Sequence, residues 1–66
     1  MKVEILLKEI RQERNINLKK LSKKSGVSTT HINDIENNIK SPSLYVMIRL
    51  AKALEVDITK LYKVKW

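Results

Sequence analysis

The 66-residue sequence predicts an all-α domain of five short helices. Three observations predict it. Apolar residues recur at spacings of three and four in successive segments. Most of those segments open on an Asn, Ser or Asp suited to capping a helix, and short polar stretches separate them. No internal repeat, low-complexity tract or linker divides residues 1–66, so a single compact domain is expected. Both ends alternate with period two, Met1-Lys2-Val3-Glu4-Ile5 and Tyr62-Lys63-Val64-Lys65-Trp66. That pattern leaves open a short two-stranded ribbon joining the termini.

The first helix is expected over residues 3–14, where Val3, Leu6, Leu7 and Ile10 share a face and Lys8, Glu9, Gln12 and Glu13 do not. Asn15-Ile16-Asn17 interrupts it. Asn17 caps a second helix, residues 18–25, which turns Leu18 and Leu21 inward and its lysines outward. Lys20 stands where a capping box would place an acid, so there is none. Gly26, the only glycine, ends this helix where a positive φ is wanted. Ser28 caps a third helix running to Asn37. At about 100° per residue it puts Ile32 and Ile35 on one side and Thr29, Thr30, Asn33 and Asp34 on another. Asn37-Asn38 closes it, because asparagine tolerates the left-handed conformation. After the loop Ile39-Lys40-Ser41-Pro42, Ser43 caps a fourth helix over residues 44–54 with Leu44, Met47, Ile48, Ala51 and Leu54 as its stripe. Asp57 caps a short fifth helix, residues 58–62.

The formal charge of +7 favours polyanionic partners, although a lysine-rich composition alone also produces such a value. Its placement is more informative. Arg14, Lys19, Lys20, Lys23 and Lys24 lie between residues 14 and 33 with no acid among them. The absence of cysteine and the single histidine, His31, exclude disulfides and a zinc cluster, and no metal or other cofactor is expected. No apolar run approaches the roughly 18–20 residues of a membrane span, and no signal-peptide pattern opens the chain, so a soluble cytoplasmic protein is expected. Enzymatic function is not expected. Ser, His and Asp all occur, but a triad needs a pocket that excludes water. Glu9 and Glu13 are ordinary neighbours on a solvated face, and no glycine-rich phosphate loop is present.

The unit over residues 18–37 reads as two short helices joined by a turn that carries Gly26 and an apolar Val27. Packed at a steep angle, such a pair leaves the second helix protruding, so that its first turn can reach base edges in a major groove. Thr29, Thr30 and Asn33 suit that role, since a threonine methyl can touch thymine and an asparagine amide can pair with adenine. Asn17 and Ser28 mark helix N-termini that favour phosphate, and Lys19 and Lys23 would run along the backbone. The plain alternative is that Ser28 and Thr29 only cap and Asn33 is only solvated. His31 reads as a solvent-edge side chain, with a phosphate contact as its functional alternative.

From about residue 7 to residue 62 the sequence resembles the phage-repressor and Cro-like (XRE-type) helix-turn-helix regulators. The matching pattern is Ile10-Arg11, Leu21-Ser22, Gly26-Val27-Ser28, Ile32, Ile35-Glu36, Pro42-Ser43-Leu44, Leu50-Ala51-Lys52-Ala53-Leu54, Val56 and Leu61-Tyr62. The resemblance implies an ion pair between Arg11 and Glu36, base contacts at Thr29, Thr30, Asn33 and Asp34, and phosphate contacts at Lys40 and Ser41. It also shows departures. Leu18 replaces a glutamine that often opens the second helix, Asn38 replaces a glycine after the third, and Glu55 replaces a glycine after the fourth. Asp34 would accept from a cytosine amino group or repel phosphate; both readings stand.

These expectations add up to a sequence-specific double-stranded DNA-binding transcription regulator, a dimeric repressor that associates through Ile58, Leu61, Val64 and Trp66. For Leu61 and Trp66 the alternative is closure of the monomer core. Two rival functions are a protein-interaction module, such as an antitoxin or adaptor, and a nonspecific basic nucleoid or RNA binder.

Overall fold

Leu7, Leu21, Ile32, Ile35, Leu50, Leu54 and Leu61 are fully withdrawn from solvent, and they come from every segment between the two ends of the chain. A computed structural model describes all residues from Met1 to Trp66. Around this core pack four helices, α1 Leu7–Glu13, α2 Leu18–Ser25, α3 Thr29–Glu36 and α4 Leu44–Leu54. A single 3-10 turn, Ile58–Lys60, follows α4. Strands β1 Lys2–Ile5 and β2 Tyr62–Lys65 pair antiparallel, with Val3 opposite Val64 and Ile5 opposite Tyr62. No helix is long and apolar enough to cross a membrane.

The ribbon and the helical reading compete for residues 3–5, and the ribbon wins, leaving Leu6 as the cap of α1. The first helix therefore starts at Leu7, not Val3, and the Leu6 N–H donates to the Leu61 carbonyl at 2.8 Å as the chain leaves the strand. The same competition shortens the other end. The expected fifth helix over residues 58–62 is only a 3-10 turn, closed by the bonds Lys60 N to Asp57 O and Leu61 N to Ile58 O. Tyr62 cannot continue it because it is paired in β2. Four helices and a ribbon thus replace the expected five helices.

The stripe of α4 is also shifted. Met47, Leu50, Ala51, Ala53 and Leu54 are buried, whereas Leu44 is 71% exposed and Ile48 is 51% exposed. Two helical registers overlap in this apolar segment, and packing against α2 and the 3-10 turn selects the one that includes Leu50. Leu61 is fully buried, so it offers no surface for association; it closes the monomer core instead. Val3, expected inward, is half exposed on the ribbon.

The caps fall where the sequence places them. Asn17 Oδ1 accepts from Lys20 N at 2.8 Å, Ser28 Oγ from His31 N at 3.1 Å and Ser43 Oγ from Val46 N at 3.1 Å. Each satisfies one N–H that the first helical turn leaves unpaired. At the C-terminal ends, Gly26, Asn38 and Glu55 have φ of 75°, 59° and 58°. Glu55 is a non-glycine residue in left-handed backbone, held there by the Val56 N to Ala51 O bond of 3.0 Å that closes α4.

One ion pair connects α1 with α3. Arg11 Nε lies 2.7 Å from Glu36 Oε2 and Arg11 Nη2 lies 3.1 Å from Oε1, a two-pronged contact. The third nitrogen, Nη1, donates to the Ile16 carbonyl at 3.0 Å. The Glu36 side chain is only 3% exposed. Removing either partner strands a buried charge, so Arg11→Ala or Glu36→Ala should each destabilise the domain by about 3–5 kcal/mol. Urea unfolding followed by circular dichroism measures this; a loss below about 1 kcal/mol would class the pair as a surface one.

Asp57 is bonded within its own turn. Its Oδ1 accepts from the Thr59 N–H at 2.9 Å and the Thr59 hydroxyl at 2.8 Å. These bonds, the backbone one foremost, hold its pKa below the ordinary aspartate value. A lowered folded-state pKa gives stability that is present above the unfolded-state pKa and lost as pH falls through the folded one. A carboxyl NMR titration should therefore place the Asp57 midpoint below that of an unstructured aspartate. Thr59→Val should move it upward; an unchanged midpoint would remove the hydroxyl from the account.

Candidate nucleic-acid interface

The turn between α2 and α3 is held from three sides. Gly26 takes φ 75°, ψ 11° and donates its N–H to Ser22 O at 2.9 Å. The buried Ser25 accepts from Val27 N at its Oγ, 3.1 Å away, and Val27 turns into the core. From α4, Arg49 Nε donates to the Ser25 carbonyl at 2.7 Å, while Arg49 Nη1 donates to the Tyr45 hydroxyl at 2.8 Å. The guanidinium carbon also lies 5.5 Å from the centre of the Tyr45 ring. A methyl group on Gly26 would run into this guanidinium. Gly26 is needed here for its φ, and its missing side chain leaves the space that the Arg49 guanidinium occupies.

So anchored, α3 buries Ile32 and Ile35 completely and leaves its other side in solvent. Thr29, Thr30 and Asn33 are exposed on that side, and Asp34 is half-buried at its edge. The Asp34 backbone carbonyl accepts from Ile39 N at 2.8 Å and Lys40 N at 3.3 Å, which ties the loop bearing the exposed Lys40 and Ser41 to the end of α3. His31 is half-buried and lines a shallow hollow with Ser28, Tyr45 and Arg49.

The flanks are basic. Lys19, Lys20, Lys23 and Lys24 are all exposed on α2. Neither α2 nor α3 carries an acid in its first turn, so the positive ends of both helix dipoles stay uncompensated. Capping uses the Asn17 side-chain oxygen and one lone pair of Ser28 Oγ. The Asn17 NH2 group and the Ser28 hydroxyl proton remain available as donors. No group of acidic and histidine side chains gathers at metal-binding distance.

Three residues of this region escape the sequence reading. Asn37 shares the outward side of α3, four positions beyond Asn33 and seven beyond Thr30, and bonds to Asn33. The helical period alone would have found it; its assignment as a helix end hid it. Tyr45 and Arg49 come from α4, and no local pattern ties them to a turn some twenty residues earlier.

A helix-turn-helix family pattern matches residues 7–61, spanning α1 to the residue after the 3-10 turn. The chain belongs to the XRE-type helix-turn-helix family. Among its relatives, the control protein C.SmaI of Serratia marcescens is 38% identical over 61 residues, covering 88% of this chain and 73% of that protein. An uncharacterized HTH-type transcriptional regulator of Mycobacterium tuberculosis is 33% identical over 52 residues, covering 79% of this chain. The match spans only 37% of that regulator's length.

The shared cause of the Gly26 and Arg49 contacts is testable by a double-mutant cycle. Gly26→Ala should destabilise by about 1–2 kcal/mol from the left-handed backbone alone, with an added loss from displacing Arg49. In the Arg49→Ala background the same substitution should cost less, because the collision is gone. Strictly additive losses would mean that the side chains do not meet.

Proposed function

We propose that this helix-turn-helix domain is a sequence-specific double-stranded DNA-binding regulator of transcription, reading the major groove with α3. The observation that carries this reading is the contrast across α3. Its inner side is fully buried, and its outer side offers short polar groups, Thr29, Thr30 and Asn33, beside the exposed lysines of α2. Short polar side chains let the helix backbone approach base edges, and long cations at its flank reach phosphates. The names of the two relatives, a control protein and a transcriptional regulator, support it. In this reading Thr29, Thr30, Asn33 and Asp34 face bases. Asn17, Lys19, Lys23, Ser28, His31, Lys40 and Ser41 face phosphates.

One reading helix of two turns contacts few base pairs, so useful specificity calls for two copies on half-sites about one helical turn apart. Ile58, Val64 and Trp66 retain exposed area for that association, and Trp66 is 95% exposed. Val3, opposite Val64 in the ribbon, and Leu44 extend the same apolar surface beside Ile58. A dimer of this kind acts most simply as a repressor, by occluding the DNA it covers.

Selection of bound duplexes from a random pool tests the whole reading. The expected winner is a palindrome with half-sites roughly one turn apart. Asn33→Ala should relax preference at one base pair per half-site by about 1–3 kcal/mol, and Lys19→Ala or Lys23→Ala should weaken all sequences alike and reduce the salt slope by about one. No enriched site, with binding that vanishes as salt rises, would reduce the domain to a nonspecific basic surface or a protein-partner module.

A further inference from the structure

On the outer side of α3, Asn37 Nδ2 donates both to the Asn33 backbone carbonyl, at 3.0 Å, and to Asn33 Oδ1, at 3.1 Å. The backbone carbonyl decides how both amides lie. It can only accept, so the Asn37 atom facing it is the nitrogen. That nitrogen in turn requires an acceptor from Asn33, so the oxygen of the Asn33 amide faces Asn37 and its NH2 group points away. Asn33 then shows two free N–H groups and one remaining lone pair on Oδ1, in a set order along the helix.

An exposed asparagine without such a partner has two flips, which present donor and acceptor in opposite orders. Adenine offers an N6 donor and an N7 acceptor side by side in the major groove, and an asparagine amide reads them only with its oxygen and nitrogen on the matching sides. Guanine offers two acceptors there, and so does not need the oxygen. Resting on the assignment of α3 as the reading helix, we propose that Asn37 is a specificity-determining residue. It locks the Asn33 amide in one flip, so that the pair reads adenine in a single orientation. In the free protein both residues are exposed and water competes for these bonds. Once a groove excludes that water, the bonds strengthen and the wrong flip leaves a donor without a partner.

The test compares the wild type, Asn33→Ala, Asn37→Ala, Asn37→Asp and the double alanine variant. Each is measured against duplexes in which every base pair of the selected half-site is varied, with helix content checked by circular dichroism. Asn33→Ala should flatten preference at one base pair by roughly 5- to 150-fold. Asn37→Ala should flatten the same base pair, by less, and add nothing in the double variant. Asn37→Asp cannot donate but can accept, so it draws the Asn33 NH2 group toward itself and should move the preference at that base pair away from adenine. Two results would overturn the proposal while leaving the reading helix in place. In one, Asn37→Ala weakens all duplexes equally, as loss of a phosphate contact would. In the other it alters a different base pair. If Asn33→Ala itself changes no preference, the assignment of α3 and the proposal fall together.

Discussion

The two-pronged contact between Arg11 and Glu36 is the constraint on which the rest of the arrangement depends. Burying a carboxylate at 3% exposure is costly unless its charge is met, and both of its oxygens are met by one guanidinium. The third nitrogen of Arg11 takes the Ile16 carbonyl just before the cap of α2. Three parts of the chain, α1, the turn before α2 and the end of α3, are therefore referred to a single planar group. A lysine carries the charge but not the fork. The pair anchors α3 at its C-terminal end, while Ser25 and Arg49 hold the turn at its N-terminal end. Held at both ends, an eight-residue helix can keep a polar side in solvent without shifting to bury it.

The polar side itself is arranged by the same economy of donors and acceptors. Ser28 and Asn17 use their side-chain oxygens inward, on the first turns of their helices, and keep hydrogen donors outward. Donors and uncompensated helix N-termini attract anions; acceptors on the same surface would repel them. Asn33 and Asn37 use their mutual bond likewise, so that what remains free is ordered. No buried side-chain nitrogen or oxygen lacks a partner, which confines unsatisfied polar capacity to the solvent-facing surface.

Much of this was legible from residue order because its causes are local. Asn17, Ser28, Ser43 and Asp57 cap where they do because each sits at the start of an apolar-periodic run, and Gly26, as the only glycine, turns left at no steric cost. What failed was decided at a distance. Residues 3–5 fit a helix well, and only their partner strand, at the far end of the chain, makes them extended. The segment Leu44–Leu54 is apolar enough for two stripes, and its neighbours choose between them. Leu61 looks like a surface leucine in a tail until the ribbon folds that tail over the core. Arg49 was invisible because reaching the Ser25 carbonyl depends on how α4 crosses α2.

The ribbon also has a kinetic meaning. It pairs Lys2 with Lys65, closing a loop that contains all four helices, whereas α2 packs on α3 through neighbours in sequence. Closing a long loop costs more chain entropy than closing a short one, and a two-stranded ribbon repays little of it alone. Loop closure alone should therefore make the strands the last part to assemble, on a helical core that already exists, and the first to open, which amide exchange would show as early loss of protection in the ribbon. Leu61, seated at the foot of the ribbon, is the latch between the two events.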